Sequence, residues 1–225
     1  MTEFPTSRDL AALGGSGGLA FPAVQAGWRS GKLLGMSSDE VLQLLVDTGA
    51  LLEGHFELRS GLHSDRFFQC ANVLRYPRAA EQLCAAAVAK ARAAGAPGRI
   101  DAVISPALGG IIVGHEVARA LEVPSIFAEK DNGALVLRRF SIEPGQRLVV
   151  AEDVVTRGGR VQETIDLVTG SGAEVAAVIL LVDRSGGKAR FDVPAFSLLQ
   201  LEPVTWAPAD CPLCRQGIPL VHPGS

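Results

Sequence analysis

One stretch of the chain joins a buried-strand pattern to a polar, glycine-rich turn: Leu148-Val149-Val150-Ala151-Glu152-Asp153-Val154-Val155-Thr156-Arg157-Gly158-Gly159-Arg160. Its first four residues form the continuous apolar run typical of a strand covered on both faces. Two acids stand where that strand would end, and a hydroxyl and two glycines then lead into a predicted helix. In an open parallel sheet, ligands bind beyond the carboxyl ends of the strands. The pattern therefore predicts a parallel sheet with a ligand site at this strand end.

The turn after the two acids suits a phosphate group. Glycines let the backbone approach a phosphate closely, and a helix N-terminus adds N–H donors and a partial positive charge. Glu152 and Asp153 would repel a lone phosphate, so we expect a ligand that also carries hydroxyls, such as a ribose 5-phosphate. The alternative is a solvated acidic turn, but the Thr-x-Gly-Gly continuation favours the ligand site. The turn has neither the Gly-Lys-Ser/Thr of a P-loop nor a dinucleotide fingerprint.

The rest of the chain alternates between apolar strand patterns and helical patterns, which predicts an α/β fold with a doubly wound parallel sheet. The 225 residues are enough for one such domain. Ser37 and Glu40 have capping-box spacing and predict a helix directly after Met36. The strands His55–Ser60 and Phe67–Val73 are predicted on either side of a turn at residues 61–64. A helix is predicted from Pro77 to Gly95, and an extended segment at Val136–Phe140.

Residues 1–35 differ in composition from the rest of the chain, because they contain a Gly-Gly-Ser-Gly-Gly run and scattered prolines. They are predicted to be a flexible extension or the result of a start codon assigned too early, and the folded domain is predicted to span residues 36–225. The net charge of −3 favours neither nucleic acid nor an anionic membrane. The sequence has neither a secretory signal nor an apolar run of about 20 residues, and four cysteines do not make a disulfide framework. These features predict a cytoplasmic enzyme.

Residues 148–160 resemble the signature of the type I phosphoribosyltransferases, which bind phosphoribosyl pyrophosphate (PRPP). The resemblance implies a Rossmann-like core, Mg²⁺ bound with PRPP, and departure of pyrophosphate through an oxocarbenium-like state. Glu152 and Asp153 would act in catalysis by holding the ribose and offsetting its positive charge. The implied PRPP contacts run along the signature: Glu152, Asp153, Val154, Val155, Thr156, Arg157, Gly158, Gly159 and Arg160. The family more often has small or hydroxyl residues in place of Arg157 and Arg160, which bears on PRPP affinity.

Further segments resemble one branch of that family, the orotate phosphoribosyltransferases. Phe56–Gly61 and Ser64–Phe68 are similar to its N-terminal hood. The resemblance implies a hood at about residues 36–75, a core at about 76–205 and a C-terminal tail at 206–225. Arg59 would then contact pyrophosphate, and Phe67 or Phe68 would lie against orotate. Because consecutive strand residues face opposite sides, at least one of the two is expected to be ordinary core.

Two more segments complete the resemblance at the sheet edge. Ser105–Gly110 is similar to the family's pyrophosphate loop, in which Leu108 and Gly109 would contact PRPP. Arg184 follows a strand and would pair with the orotate carboxylate, helped by Thr156, since arginine can grip a carboxylate through two parallel hydrogen bonds.

Glu129–Gly133 with Arg138 and Arg139 resembles the family's mobile catalytic loop. That loop closes over the neighbouring subunit's active site, so the resemblance implies a homodimer. Lys130 is the candidate to neutralise the leaving pyrophosphate. No protein side chain is predicted to bind the Mg²⁺ directly.

Cys211-Pro212-Leu213-Cys214 has the spacing of half a zinc site or of a redox pair. A complete site needs about four ligands, and the tail offers only His222 nearby. The pair therefore remains open between a structural thiol pair, a metal shared across a dimer, and a redox switch.

Two other functions compete with orotate phosphoribosyl transfer. An enzyme for a purine or uracil would keep Glu152–Gly159 but would have no use for Arg184 opposite the base. A PRPP-sensing regulator would need an output element such as a basic DNA-binding domain, and the glycine-rich first 35 residues do not supply one.

Overall fold

The computed structural model describes residues 35–58, 60–96 and 98–223. The predicted N-terminal extension therefore lies outside the described residues, apart from Gly35. The helices and strands, in chain order, are α1 (Ser38–Asp47), β1 (Leu51–Glu57), β2 (His63–Phe68), α2 (Ala71–Leu74), α3 (Pro77–Ala93), β3 (Ala102–Pro106), α4 (Gly109–Leu121), β4 (Ser125–Asp131), β5 (Ala134–Val136), β6 (Arg147–Val155), α5 (Gly159–Gly170), β7 (Glu174–Asp183), β8 (Ala195–Gln200), β9 (Thr205–Trp206) and α6 (Pro212–Arg215).

The larger sheet has the strand order β5-β4-β3-β6-β7-β8. All neighbouring strands pair in parallel except β4 and β5, which form an antiparallel hairpin. From β3 the chain crosses through α4 to β4 on one side, whereas from β6 it crosses through α5 to β7 on the other. The neighbouring strands β3 and β6 therefore flank the point where the winding direction reverses, which is where open α/β sheets bind ligands. The predicted doubly wound parallel sheet is confirmed.

Strand β6 contributes to the core on both faces of the large sheet, because its side chains alternate between those faces. Val149 and Ala151 pack in one cluster with apolar residues of α3 and α4. Leu148 and Val150 pack in a second cluster with residues of α5. All four are at most 2% exposed, so the sequence from 148 to 151 is buried on both faces, as the apolar run predicts.

A second, three-stranded sheet with the order β1-β2-β9 forms the hood. Strand β9 pairs antiparallel with β2, and Val221 makes a parallel bridge to Phe56 of β1. The backbone of Val221 donates to His55 O at 2.8 Å and accepts from Glu57 N at 3.0 Å. Trp206 and Val221, which the sequence assigns to a C-terminal tail, thus pair with the hood strands, together with Thr205 at the end of the predicted core.

Several local predictions hold and others shift. Helix α1 has the predicted capping box, since Glu40 N donates to Ser37 Oγ and Ser37 N donates to the Glu40 carboxylate. The predicted turn at residues 61–64 is wrong, because His63 and Ser64 belong to β2 and the chain reverses between Leu58 and Leu62.

Two predicted extended segments also change. Residues 71–73, the end of the predicted strand Phe67–Val73, belong instead to α2. Of the predicted segment Val136–Phe140, only Val136 lies in a strand, at the end of β5. Within the part of the chain that the structure describes, no helix is both long and apolar enough to cross a membrane.

Candidate active site

The two loops predicted to bind ligand meet at the carboxyl ends of β3 and β6. A cleft of about 400 Å³ lies there, lined by Gly109 of the first loop and by residues 152–161 of the second. The two loops approach each other closely: a Cβ on Gly109 would lie 3.0 Å from Asp153 Oδ2, and one on Gly110 would lie 3.0 Å from Glu152 Oε1, so a side chain at either position would press on a carboxylate. The carboxylates therefore face the backbone of the glycine pair directly.

Glu152 is held at the base of this cleft. Its side chain is 4% exposed, and its Oε1 accepts from the backbone N–H of Asp153 at 3.2 Å. Its Oε2 is buried and has no hydrogen-bond partner among the described residues. Burial, and then the neighbouring Asp153 carboxylate, raise the pKa of Glu152 from its ordinary value of 4.5 to about 9. A buried acceptor without a partner is costly, so this oxygen is suited to a ligand hydroxyl.

The turn that follows the acids has the conformation expected of a phosphate loop. Gly158 has φ 82° and caps the N-terminus of α5, and a Cβ there would lie 3.1 Å from the Phe191 ring. Gly159 begins the helix with open space around its Cα, so the free N–H groups of the first turn are accessible to an anion. Thr156 and Arg157 are exposed on the same turn.

Arg160 links the two loops. Its guanidinium donates to the carbonyl of Ala107 at 2.9 Å. The Ala107–Leu108 peptide is cis, and Leu108 is 81% exposed beside the cleft. Arg160 thus holds the Ala107 loop toward the signature turn. Its positive charge opposes the rise in the Glu152 pKa, but this is the smallest of the effects on that pKa.

Arg184 lies next to the signature at the sheet edge. Its backbone N–H donates to Val155 O at 2.8 Å, which places it beside Thr156. Its guanidinium carbon is 5.8 Å from the centre of the Phe68 ring, and no carboxylate among the described residues forms a salt bridge with it. Burial lowers the pKa of the Arg184 guanidinium. A half-buried arginine without an acidic partner is suited to pairing with a ligand anion.

The two neighbouring phenylalanines separate as strand geometry requires. Phe68 is 8% exposed and lies on the side of β2 that faces Arg184. The Phe67 ring packs instead against Phe56, with ring centres 5.8 Å apart. Only Phe68 is brought to the same side as Arg184, and Phe67 fits the alternative of ordinary packing.

Comparisons with known proteins agree with this geometry. The profile of the phosphoribosyl transferase domain matches residues 72–215. The orotate phosphoribosyltransferase of Pelotomaculum thermopropionicum is 52% identical over 191 residues, which cover 84% of this chain and 98% of that protein. That of Heliobacterium modesticaldum is 50% identical, covering 84% of this chain and 99% of its own length. The chain belongs to the orotate phosphoribosyltransferase family.

A solved structure gives the same result for the fold. The crystal structure of the orotate phosphoribosyltransferase from Aeropyrum pernix superposes with a TM-score of 0.60 at 25% identity, covering 72% of this chain and 94% of that one. The type I phosphoribosyltransferase fold with an N-terminal hood is thereby confirmed for this member of the orotate phosphoribosyltransferase family.

The segment predicted to be the family's catalytic loop is a β-hairpin in this structure. Strands β4 and β5 are joined by Asn132 and Gly133, both with positive φ, which is the backbone of a tight two-residue turn. Arg138 pairs with Asp131 at 2.8 Å, and Arg139 pairs with Glu129. The exposed Lys130 side chain has no hydrogen-bond or ion-pair partner within the described ranges, so it is available to a ligand.

Two groups stand apart from these predictions. Arg59, the candidate pyrophosphate contact, lies outside the described residues. Ser105 belongs to the first loop motif, but the sequence assigns it no role; it is fully buried at the end of β3, and its Oγ has no hydrogen-bond partner among the residues described. Its place immediately before the Pro-Ala-Leu-Gly-Gly turn is the signal that could have singled it out.

Proposed function

We propose that this protein transfers the phosphoribosyl group of PRPP to orotate, forming orotidine 5′-monophosphate and pyrophosphate. The observation that carries the proposal is the cleft at the β3–β6 switch point. There a buried, unpartnered carboxylate oxygen of Glu152 lies against a glycine pair and beside a helix N-terminus. This combination suits a ligand that carries both hydroxyls and phosphates.

The ribose phosphate occupies the signature turn in this proposal. The 5-phosphate accepts hydrogen bonds from the backbone between Thr156 and Arg160, aided by the N-terminus of α5. The two ribose hydroxyls bind Glu152 and Asp153. As the bond from C1 to pyrophosphate breaks, positive charge grows on the ribose ring. This charge is stabilised by the Asp153 carboxylate and favours the ionised form of the neighbouring Glu152, which then adds to the stabilisation.

Pyrophosphate lies on the opposite wall, along Leu108 and Gly109. The absence of a side chain at Gly109 leaves room between the loop backbone and Asp153. Arg59 and Lys130 supply positive charge as pyrophosphate leaves. Lys130 is exposed near the edge of the large sheet and has no ion-pair partner among the residues that the structure describes, which supports its part in this role.

Mg²⁺ enters with PRPP in this proposal. It takes oxygen ligands and is commonly bound through one or two carboxylates together with substrate phosphates and waters. The residues fit such an ion, because the acidic cleft does not form an all-protein cage, so the phosphates of PRPP and water would hold the ion and no side chain need bind it directly. When bound, Mg²⁺ supplies charge neutralisation to the pyrophosphate group.

Orotate binds between Arg184 and Phe68, with Thr156 beside them. The guanidinium of Arg184 pairs with the orotate carboxylate, which uracil lacks, and Phe68 provides an apolar surface for the flat base. We also propose a homodimer in which the β4–β5 hairpin presents Lys130 to the neighbouring subunit's cleft.

The test is the loss of orotate absorbance with PRPP and Mg²⁺ present, with uracil, adenine and hypoxanthine assayed in parallel. The proposal is supported if orotate is the only one of the four bases consumed and if its consumption requires PRPP. Turnover of another base in its place would keep the PRPP cleft and discard the orotate pocket. Binding of PRPP with no turnover of any base would indicate a PRPP sensor.

A further inference from the structure

The two cysteines near the C-terminus meet two histidines of the hood. His55 lies on β1 and His63 on β2, while Cys211 immediately precedes α6 and Cys214 lies within it. One potential ligand atom from each of the four residues falls within 4.8 Å of all the others. It is the only such group of three or more His, Cys, Asp and Glu side chains found among the described residues.

The separations between these atoms are those of ligands around one small ion. His55 Nε2 lies 3.0 Å from His63 Nδ1 and 3.4 Å from Cys211 Sγ. Cys214 Sγ lies 3.7 Å from His55 Nε2 and 3.3 Å from His63 Nδ1. Tetrahedral Zn²⁺, with Zn–N of about 2.0–2.1 Å and Zn–S of about 2.3 Å, requires ligand atoms about 3.3–3.8 Å apart. These four separations match that geometry to within a few tenths of an ångström, and the other two lie within 4.8 Å.

The orientation of His55 is also that of a metal ligand. Its Nδ1 lies 2.8 Å from the carbonyl oxygen of Ile218, which can only accept, so Nδ1 carries the proton. In the neutral ring this leaves the lone pair of Nε2 pointing into the cluster. A backbone carbonyl that orients a ligating histidine through its other nitrogen is a regular feature of zinc sites.

Burial and charge point the same way. His55, His63 and Cys211 are at most 5% exposed, whereas Cys214 is exposed and leaves a route for entry. Without a metal, two imidazoles and two thiols would be held together by one histidine–histidine hydrogen bond and weak thiol contacts. With Zn²⁺ and two thiolates the site is electrically neutral, which suits a buried position.

We propose that His55, His63, Cys211 and Cys214 bind one structural Zn²⁺ that fastens the C-terminal segment to the hood. Four protein ligands close the tetrahedron, so the site has no open position for substrate. Binding releases the two thiol protons to solvent. The ligands are contributed by β1, β2 and the segment around α6, so the ion joins parts of the chain that are distant in sequence within a small three-stranded sheet.

The first experiment measures metal content in the full-length protein, prepared without a polyhistidine tag from zinc-supplemented cells and dialysed against a weak chelator. We expect about one zinc ion per chain when the metal content is measured by inductively coupled plasma mass spectrometry. The Cys214→Ser and His63→Ala variants are expected to lose it. The matched controls Cys84→Ala and His222→Ala keep it, since Cys84 is in the core and His222 contacts Glu57 outside the cluster.

A second measurement needs no variant and so does not depend on any variant folding. Replacing the metal with Co²⁺ should produce the intense visible bands of tetrahedral coordination and a thiolate charge-transfer band, and stripping it should lower Tm by roughly 5 °C or more. The proposal would be overturned if the Cys211 and Cys214 thiols of the purified protein reacted freely with a thiol reagent or formed a disulfide with each other. It would also be overturned if the purified protein contained iron in place of zinc. None of these readouts depends on turnover of orotate.

Discussion

At the scale of single residues, the cleft is defined by groups that the protein leaves unsatisfied. Glu152 Oε2 is buried without a hydrogen-bond partner, and the Arg184 guanidinium is half-buried without a salt bridge, in each case among the described residues. Each is costly to the folded protein and complementary to a part of the proposed substrates: a ribose hydroxyl for the first and a carboxylate for the second.

Arg184→Lys is expected to raise the KM for orotate by roughly 10- to 100-fold and to change the KM for PRPP little. Lysine keeps the charge but loses the two-pronged hydrogen bonding, and a charge-assisted hydrogen bond contributes about 1.5–3 kcal/mol. Steady-state kinetics with each substrate varied would measure this. The control is Arg66→Lys, in the same small pocket but paired with Glu53. An equal effect on both KM values would contradict the assignment.

Glu152 should make the ligand-free protein less stable as the pH rises. Its pKa is raised from 4.5 to about 9 in the folded protein, so below pH 4.5 the carboxyl is protonated in both states. Above 4.5 only the unfolded chain ionises, so stability is lost through the window up to about 9. Glu152→Gln removes this loss. Its unfolding free energy relative to the wild type should be higher at pH 8 than at pH 5 by up to about 4 kcal/mol.

The measurement is urea denaturation at several pH values. Glu143→Gln serves as a control, because Glu143 is an exposed acid near the amino end of β6. If Glu152→Gln and Glu143→Gln showed the same pH dependence as the wild type, Glu152 would not be the strained carboxyl of the cleft.

At the scale of elements, the turn between β6 and α5 and the β4–β5 hairpin carry groups that we propose to act on PRPP. The turn is fixed by the positive φ of Gly158 and by the Phe191 ring against it. The hairpin is fixed by Asn132 and Gly133 and by two arginine–carboxylate pairs. These constraints position backbone N–H groups in one case and Lys130 in the other.

Gly158→Ala is expected to lower Tm by roughly 2–8 °C. A left-handed conformation costs a residue with a Cβ about 1–2 kcal/mol, and the Phe191 ring must also move. Gly159→Ala is the control, since its Cβ would enter open space and its φ is not positive. Thermal denaturation of the two variants should therefore differ, and equal Tm values would contradict the description of the turn.

Lys130→Ala should reduce kcat on the order of 100-fold, the effect typical of removing one group that stabilises transition-state charge, with Tm unchanged. The side chain is exposed and makes no ion pair in the described part of the chain, so its removal costs the fold nothing. Lys188→Ala, which removes an exposed lysine paired with Glu202, should keep full activity. Full activity of Lys130→Ala would show that the hairpin is not the catalytic element.

At the scale of the whole molecule, the parallel sheet and the cleft could be predicted because their signals are local. The run Leu148–Ala151 indicates a doubly buried strand, and the acids and glycines follow it directly in sequence. The hood could not be predicted as well, because β9 and the His55–Cys211 contact join residues about 140 to 160 positions apart. No periodicity within one segment reports such a pairing. Likewise, only the three-dimensional packing separates Phe67 from Phe68.

The most direct test of the proposed reaction is a product balance in one vessel with orotate, PRPP and Mg²⁺. Orotate loss is followed by absorbance, and pyrophosphate and orotidine 5′-monophosphate are quantified by phosphorus NMR. We predict one pyrophosphate and one nucleotide for each orotate consumed, and none of either when orotate or PRPP is omitted. Release of pyrophosphate without loss of orotate, or a nucleotide of another base from a mixed pool, would contradict phosphoribosyl transfer to orotate.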